Sequence, residues 1–448
     1  MNTSTKILDI INENLNVIEY NKKSRGEVFT NLKLVDKQVS HVPIGVFKKQ
    51  QTKLLDIGSG IGNYSIYCYF KLMKTLTQIS DEKKRSIHII EKMLYMVEID
   101  DVNVKKCIEI FKLIEPKAKI NIIQKDFLKL NKEDLLEHDF PLNYNVILSN
   151  PPYNQPNKKD INKLSTRALY PYIVSRALTF LQPKGYLSFI HPVSWRRYSR
   201  EHRFDFDKYD LLYMYTSNQF TDFDNSAPYI NYYTLCNTCK PNYLTEYQTE
   251  FDGTVYCGKA ILKNLPFIPL LLHTYTLQIL DKLFNYEHKY AIPLNIKLIS
   301  SNSTSKNSIS SNKSSIFKYK NIHNYSILHK KYIYRYSKAK HPSHNLCKII
   351  MIYRGGWKYF QPFYDDGTIG ITDNALFVEV EDKKQGDIVL NFLKSDIITF
   401  VLKTCNFNYG RNMKNEYKIL NRLNVPPTKN LHKQYNFTKE EINFIKQI

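Results

Sequence analysis

Short apolar stretches alternate with helical patterns through the first half of this chain, and the alternation restricts the fold more than any other feature. The segments between the apolar stretches, for instance 102–113 and 169–181, carry apolar residues at spacings of three and four. The predicted strands cover residues 53–57, 94–99, 119–123, 145–149 and 186–191, with 211–216 and 229–236 as later additions to the same sheet. Strands that alternate with helices form a sheet that is covered by helices. The sequence therefore predicts an α/β domain.

The first predicted strand runs into a glycine-rich turn that reads Asp56-Ile-Gly58-Ser-Gly60-Ile-Gly62. Glycines let a backbone turn tightly and approach a ligand closely, although many α/β folds contain such a loop. Asp56 restricts the kind of ligand that this loop can bind, because a carboxylate suits a cationic amino-acid group better than a diphosphate. S-adenosylmethionine has such a group and no phosphate. We therefore predict that this loop binds S-adenosylmethionine.

Acidic residues also end the next two predicted strands. Glu98 can accept both ribose hydroxyls of an adenosine. It lies 42 residues after Asp56 rather than roughly 20, and the extra length includes a charged stretch, 80–92, that we predict to be an inserted helix. Asp126 can accept from an adenine amino group, and Phe127 can cover the face of the base. Three acids at successive strand ends predict an adenosine pocket.

The fourth predicted strand ends in Asn150-Pro151-Pro152-Tyr153. The prolines fix the backbone and leave carbonyl groups that no helix uses. The Asn150 side-chain oxygen and the Pro151 carbonyl can then accept from the same planar NH₂ group, which makes the lone pair of its nitrogen more available. Tyr153 offers a flat face to the ring that bears the amine. These four residues are the predicted catalytic set.

In this order the motifs resemble those of the gamma class of DNA adenine-N6 methyltransferases, as found in restriction–modification systems. The upstream segment 26–30 resembles the motif that holds the methionine end of the cofactor, with Thr30 as the contact, although Asn31 replaces the usual proline. Further segments resemble the family's fifth strand (189–195) and its target-recognition regions (353–358 and 370–377). The resemblance is strong over about residues 24–200 and loose beyond them.

This resemblance implies a Rossmann-like S-adenosylmethionine-dependent methyltransferase sheet with helices on both faces, followed by a C-terminal α+β target-recognition domain. It implies direct methyl transfer to the exocyclic amino group of adenine in double-stranded DNA, without a metal. The adenine must leave the duplex, and Tyr153 would be one stacking wall. The candidates for the second wall are Phe220, Phe223, Tyr229 and Tyr232. Arg354, Trp357 and Lys358 are the predicted DNA contacts.

The charge distribution also favours a nucleic-acid partner. The chain has 64 Lys and Arg against 42 Asp and Glu, and residues 288–364 contain 14 of these cations and no acid. Tyrosines and a tryptophan alternate with the cations, and such a mixture can contact phosphates and stack on bases. We therefore predict a catalytic domain at 1–240 and a basic recognition domain at 241–448, with a low-complexity loop at 299–316.

Several other interpretations were weighed against this one. The cysteines at 236, 239 and 257 lack a second CxxC pair, so we predict no metal, and residues 381–383 match only a common fragment of nucleases. The alternatives are an RNA adenine or protein glutamine methyltransferase, a protein that also cuts DNA, and a non-catalytic DNA-binding subunit. We expect a monomer inside a bacterium or a virus-infected cell, without membrane contact and with a cognate restriction endonuclease as a candidate partner.

Overall fold

The computed structural model describes residues 30, 32–156, 164–196, 206–218, 230–263, 265–297, 308–406 and 416–448. Contacts divide the chain into two compact units. The first comprises the described residues within 1–195, 200–248 and 257–265, and the second comprises those within 196–199, 249–256 and 266–448. Within the described ranges, no helix is long and apolar enough to cross a membrane.

The first unit contains the strands and helices that the alternating pattern predicted. Its helices are α1 (Leu32–Val39), α2 (Asn63–Thr75), α3 (Glu82–Lys92), α4 (Asp101–Ile114), α5 (Lys132–Glu137) and α6 (Tyr170–Thr179). Its strands are β1 (Leu54–Ile57), β2 (Leu94–Glu98), β3 (Ile122–Gln124), β4 (Tyr144–Ser149), β5 (Asn154–Pro156), β6 (Leu164–Ala168), β7 (Leu181–Pro192), β8 (Asp210–Ser217) and β9 (Ile230–Cys236). The inserted helix predicted within 80–92 is α3.

A nine-stranded mixed sheet forms the centre of the fold. Its order is β11-β10-β8-β9-β7-β4-β1-β2-β3, where β10 is Leu244–Phe251 and β11 is Thr254–Ile261. β3, β2, β1, β4 and β7 are parallel, and β9 runs antiparallel to β7 and to β8. Because the parallel strands share one direction, their carboxyl ends meet at one edge, where sheets of this kind bind ligands. The predicted α/β fold is confirmed.

Burial explains why these segments are strands and helices. β1 and β2 are buried at every residue, as expected for parallel strands that are covered on both faces. α1, α2, α3 and α4 pack their apolar residues against this part of the sheet. Asp81 and Asp100 cap the amino ends of α3 and α4, accepting from backbone N–H groups of the first turn.

The second unit combines small sheets with helices. Its helices are α7 (Thr274–Phe284), α8 (Lys383–Leu393), α9 (Asp396–Thr404), α10 (Glu416–Leu420), α11 (Leu431–Gln434) and α12 (Lys439–Gln447). Its strands are β12 (Ile292–Pro293), β13 (Ile296–Lys297), β14 (Ile309–Ser310), β15 (Tyr319–Ser326), β16 (Lys331–Ser337), β17 (Lys348–Ile352), β18 (Phe363–Asp365), β19 (Gly370–Ile371), β20 (Ala375–Glu379) and β21 (Asn424–Val425). Two four-stranded sheets, β13-β20-β17-β18 and β14-β16-β15-β19, contribute to one apolar cluster.

Candidate active site

The glycine loop connects β1 to α2 at the carboxyl edge of the sheet. Gly58, Gly60 and Gly62 have φ angles of +60°, +55° and +93°, in the left-handed region that other residues avoid. A Cβ atom on Gly62 would lie 2.8 Å from the Cys107 sulfur. The backbone N–H groups of Gly58 and Ser59 both donate to the Val97 carbonyl, at 2.9 and 3.1 Å. The loop is therefore tightly turned and held against β2.

Asp56 lies buried beneath this loop, with 3% of its surface exposed. Its Oδ2 accepts from the backbone N–H and the hydroxyl of Ser65, at 3.2 and 3.0 Å. Its Oδ1 is buried and accepts no hydrogen bond from the described residues. Burial raises the pKa of Asp56 to about 7; the bonds from Ser65 lower it and the charge of Glu98 raises it further. A cationic donor would satisfy Oδ1, so this position fits the ammonium group of S-adenosylmethionine.

Glu98 joins the glycine loop to the end of β2. Its Oε2 accepts from the Gly60 N–H at 2.7 Å, and its Oε1 accepts from the N–H groups of Ile99 and Asp100, both at 2.8 Å. Only 6% of Glu98 is exposed. The carboxylate thus fixes the conformation of the loop, a role that its strand-end position did not predict. Its contact with a ribose stays a prediction.

Asp126 and Phe127 follow β3. Asp126 caps a short 3-10 helix, Phe127–Lys129, by accepting from the Leu128 N–H at 3.0 Å. The Phe127 ring is buried, and its centroid lies 5.7 Å from that of Phe180. The structure therefore shows a capping role for the first residue and a packing role for the second. Their contacts with adenine stay predictions.

The segment Asn150–Tyr153 begins directly after β4 and lies beside the glycine loop. A Cβ atom on Gly58 would lie 4.0 Å from Cδ of Pro152, and Pro151 is buried. The Ser149 hydroxyl donates to the Ile57 carbonyl at 2.6 Å and so ties the ends of β4 and β1 together. The predicted catalytic segment and the predicted cofactor loop are therefore neighbours.

Thr30 connects Asn150 to the start of α2. The Asn150 Nδ2 donates to the Thr30 hydroxyl at 3.0 Å, and the Asn63 Nδ2 donates to the Thr30 carbonyl, also at 3.0 Å. Thr30 is 4% exposed. Sequence reasoning missed Asn63 and Ser65, although polar residues in the first turn after a glycine loop are a usable signal. The rest of the upstream motif, 26–29, lies outside the described residues.

Tyr153 packs against a cluster of three aliphatic and three aromatic residues in the first unit. Its apolar neighbours are Leu34, Ile190, Tyr213, Tyr215, Ile230 and Tyr232. The rings of Tyr215 and Tyr232 are nearly parallel, with centroids 4.6 Å apart. Burial raises the pKa of Tyr153 above its usual value, and the nearby Asn150 side chain partly opposes this. Of the four candidates for a second wall, only Tyr232 lies within the described residues, and it supports the ring of Tyr153.

The predicted DNA contacts lie around a turn in the second unit. Arg354 is exposed and forms an ion pair with Asp373, at 3.7 Å. The Trp357 ring has the ammonium groups of Lys358 and Lys403 at 5.8 and 4.9 Å from its centroid. Trp357 also lines a cavity of 380 Å³. The positive charges of Arg354 and Lys358 and the ring of Trp357 are compatible with binding to DNA, but the contacts themselves stay predictions.

Part of the basic stretch 288–364 is buried rather than exposed. Lys348 is fully buried and forms an ion pair with Asp365, which is 2% exposed at its side chain. Four of the interleaved tyrosines pack against the apolar cluster of this unit: Tyr325, Tyr332, Tyr334 and Tyr359. Their rings therefore help to build the unit, and only a subset of the stretch is available to a polyanion.

The residues considered for a metal or for nuclease activity have other roles where they are described. Cys236 is buried, whereas Cys239 and Cys257 are exposed. The described part of the chain contains no group of three or more His, Cys, Asp or Glu side chains that could hold a metal ion. Asp382 caps the amino end of α8 by accepting from the Gln385 N–H. Lys383 forms an ion pair with Asp387 one turn along that helix.

Comparisons with known proteins agree with this geometry. Residues 58–248 match the family model described as Eco57I restriction-modification methylase. The type IIL restriction-modification enzyme MmeI, in complex with DNA, has a similar structure: 10% identity, TM-score 0.52, covering 92% of this chain and 67% of MmeI. A nuclease-deletion mutant of the type ISP restriction-modification enzyme LlaGI, with a DNA substrate mimic, matches at 12% identity and a TM-score of 0.52, covering 88% of this chain and 54% of LlaGI.

At such identities the structural matches show a shared fold. This chain spans only part of the length of both enzymes. No curated protein matches it in sequence.

Proposed function

We propose that this chain transfers a methyl group from S-adenosylmethionine to the exocyclic amino group of adenine in double-stranded DNA, as the modification activity of a restriction–modification or self-marking system. The methylase family match of residues 58–248 supports a DNA methyltransferase. The choice of adenine and of the cofactor depends on the site. The observation that carries it is the position of Asn150, which Thr30 holds beside the glycine loop and its buried carboxylate.

The cofactor would lie along the carboxyl edge of β1, β2 and β3. Asp56 would accept from its ammonium group, because no donor among the described residues reaches its buried Oδ1. The glycine loop, from Gly58 to Gly60, would follow its chain closely, and Glu98 would contact the ribose in addition to fixing the loop. Asp126 and Phe127 would face its adenine, and Thr30 its methionine end. When bound, S-adenosylmethionine supplies an electrophilic methyl group on a sulfonium.

The residues after β4 would position the acceptor. The Asn150 amide donates to Thr30, which orients its carbonyl oxygen away from Thr30. That oxygen and the Pro151 carbonyl would each accept a hydrogen bond from one N–H group of the target amine. The two hydrogen bonds would keep the lone pair of the nitrogen directed at the methyl group. Pro152 fixes the backbone directly after these two acceptors, and Tyr153 would cover one face of the flipped base. The amine nitrogen would bond to the methyl carbon as the bond from that carbon to sulfur breaks, which leaves a neutral thioether, and the methylated amine would then release one proton to solvent.

The second unit would provide the contacts with DNA. Arg354 would read a base edge, since a guanidinium can bind guanine with two hydrogen bonds. Lys358 would contact phosphate, and Trp357 would pack against the sugar or a base. A cognate restriction endonuclease is the partner that we propose for the complete system, inside the cell that holds the DNA.

Incubation of the purified chain with methyl-labelled S-adenosylmethionine and separate samples of duplex DNA, RNA and protein tests the acceptor. We expect label in duplex DNA, recovered as N6-methyladenine, and sequencing of the methylated DNA would identify the site. Asn150→Ala should abolish transfer while the cofactor affinity stays within a few-fold. Asn131→Ala is the matched control, because Asn131 caps α5 and belongs to no proposed contact. Label in RNA or protein only, or an active Asn150→Ala, would refute the proposal.

A further inference from the structure

The hairpin of β15 and β16 carries an exposed apolar tip. Leu328 is 86% exposed, which makes it the most exposed large apolar side chain among the residues that the structure describes, and the adjacent Ile327 is 41% exposed. The next residues, His329, Lys330 and Lys331, are exposed as well. Single exposed apolar side chains are common on protein surfaces; this one differs by its place at the end of a hairpin, next to exposed cations.

The hairpin holds this tip in a fixed position. The His329 N–H donates to the Ser326 hydroxyl at 3.2 Å, and Lys330 has a φ of +47°, so the four-residue turn is tight. Below the turn, Tyr325 and Tyr332 pair across the strands with ring centroids 5.2 Å apart. Both tyrosines pack against the apolar cluster of the second unit. Because the stem is anchored, the tip can act as a rigid projection.

The surroundings of the tip are basic. Lys331 and Arg335 lie on the face of β16 opposite to Tyr332 and Tyr334, since alternate residues of a strand point to opposite faces. Farther from the turn, Arg335 lies opposite Asn321 of β15. Burial lowers the pKa of His323 on that strand, and the charges of Arg335 and Arg354 lower it further while Asp373 opposes them. No acid occurs between residues 288 and 364. An apolar tip with cations around it fits a polyanion that has an apolar interior. Duplex DNA is such a polyanion, because its stacked bases lie between two rows of phosphates.

We propose that Leu328, supported by Ile327, inserts between base pairs of duplex DNA as a wedge while Lys330 and Lys331 contact the flanking phosphates. Apolar side chains that enter a groove unstack a base step and kink the duplex. The wedge would unstack one base step of the bound duplex, and in its choice of duplex DNA as the ligand it rests on the proposed function. A protein surface that covers Leu328 is the competing occupant and is treated as an outcome of the test.

Leu328→Ala in the full chain tests the wedge through binding, without relying on methylation. Fluorescence anisotropy would measure the affinity for a paired duplex and for the same duplex with one abasic site, where the stack is already interrupted. Because an inserted apolar side chain replaces part of the contact that the unstacked bases lose, we expect the variant to bind the paired duplex about tenfold more weakly. The abasic duplex should restore most of the difference, because it no longer needs to be unstacked. A merely structural role would weaken binding to both duplexes equally, and that result would overturn the proposal.

Two control variants distinguish the wedge from its surroundings. Leu136→Ala removes another exposed leucine, 59% exposed on α5, and should bind both duplexes as the wild type does. Lys330→Ala with Lys331→Ala should weaken both duplexes alike and reduce the slope of log affinity against log salt by about 0.9 for each lost contact. If Leu328→Ala bound DNA normally but no longer associated with another protein, the tip would be a protein-docking site. If the wild type methylated no DNA yet showed the abasic-site pattern, the proposed function would fail and the wedge would stand.

Discussion

Replacement of Asp56 by Asn should change how the stability of the first unit depends on pH. The carboxyl group is buried, receives two hydrogen bonds from Ser65 at one oxygen and none at the other, and has a pKa raised from 3.8 to about 7. One pKa unit corresponds to about 1.4 kcal/mol, so ionising this group costs the folded state about 4 kcal/mol. Asn is uncharged and nearly isosteric, and it avoids that cost.

The sign follows from the raised pKa of Asp56. Between the unfolded pKa and the folded pKa, the folded protein holds a proton that the unfolded chain has released, so stability falls as the pH rises. The loss begins near pH 3.8 and is complete just above pH 7. Between pH 4.5 and pH 8, the free energy of unfolding of Asp56→Asn relative to wild type should therefore increase by about 3 kcal/mol.

Urea unfolding of both proteins at pH 4.5 and pH 8, followed by fluorescence, measures this difference directly. Ser65→Ala is an informative companion, because loss of its hydroxyl donor should raise the pKa of Asp56 further and move the transition to higher pH. Titration calorimetry with S-adenosylmethionine should show tighter binding to the wild type as the pH passes 7, and weaker, pH-insensitive binding to Asp56→Asn. If the stability difference were the same at both pH values, the buried-carboxylate reasoning would be wrong.

Two further substitutions test separate parts of the structure. Tyr153→Phe keeps the aromatic face and should retain most of the methylation rate, whereas Tyr153→Ala should lose about ten- to a few-hundred-fold; single-turnover kinetics would measure both, and an inactive Phe variant would indicate a chemical role for the hydroxyl. Lys348→Ala should destabilise the second unit by about 3–5 kcal/mol, because it leaves Asp365 as an unpaired buried charge; thermal unfolding would measure this, and a stability equal to that of wild type would show that Asp365 is solvated.

The sequence predicted the elements of the first unit well because their signals are local. A short strand such as 54–57, which is apolar except for Asp56, and a glycine loop directly after it leave few alternatives to a β-loop-α unit. The acids at 56, 98 and 126 could be placed at one edge because parallel strands end there. These predictions needed only the direction of the chain and the order of its motifs.

The features that sequence reasoning missed depend on contacts between distant segments. Nothing near Lys348 in the sequence shows that it is buried, because its partner, Asp365, lies on another strand. The hairpin of β10 and β11 extends the central sheet beyond residue 240. Its residues do not continue the alternation of apolar strands and helices by which the earlier strands were predicted. The bond between Thr30 and Asn150 joins residues 120 positions apart. Tertiary packing determines each of these three features, and the pattern of residues along the chain does not predict that packing.

The unpaired polar atoms around the glycine loop point to the same site as the motifs do. Within residues 56–63, buried side-chain oxygens of Asp56, Ser59 and Asn63 have no hydrogen-bond partner among the described residues. A buried polar atom without a partner costs roughly 1–3 kcal/mol, and folded proteins contain few of them. Three such atoms in eight residues are therefore poorly explained by stability alone. They are well explained if a ligand with several donors binds here, and an ammonium group together with hydroxyls is such a set of donors. The groups that reduce the stability of the loop are then the ones that would hold S-adenosylmethionine.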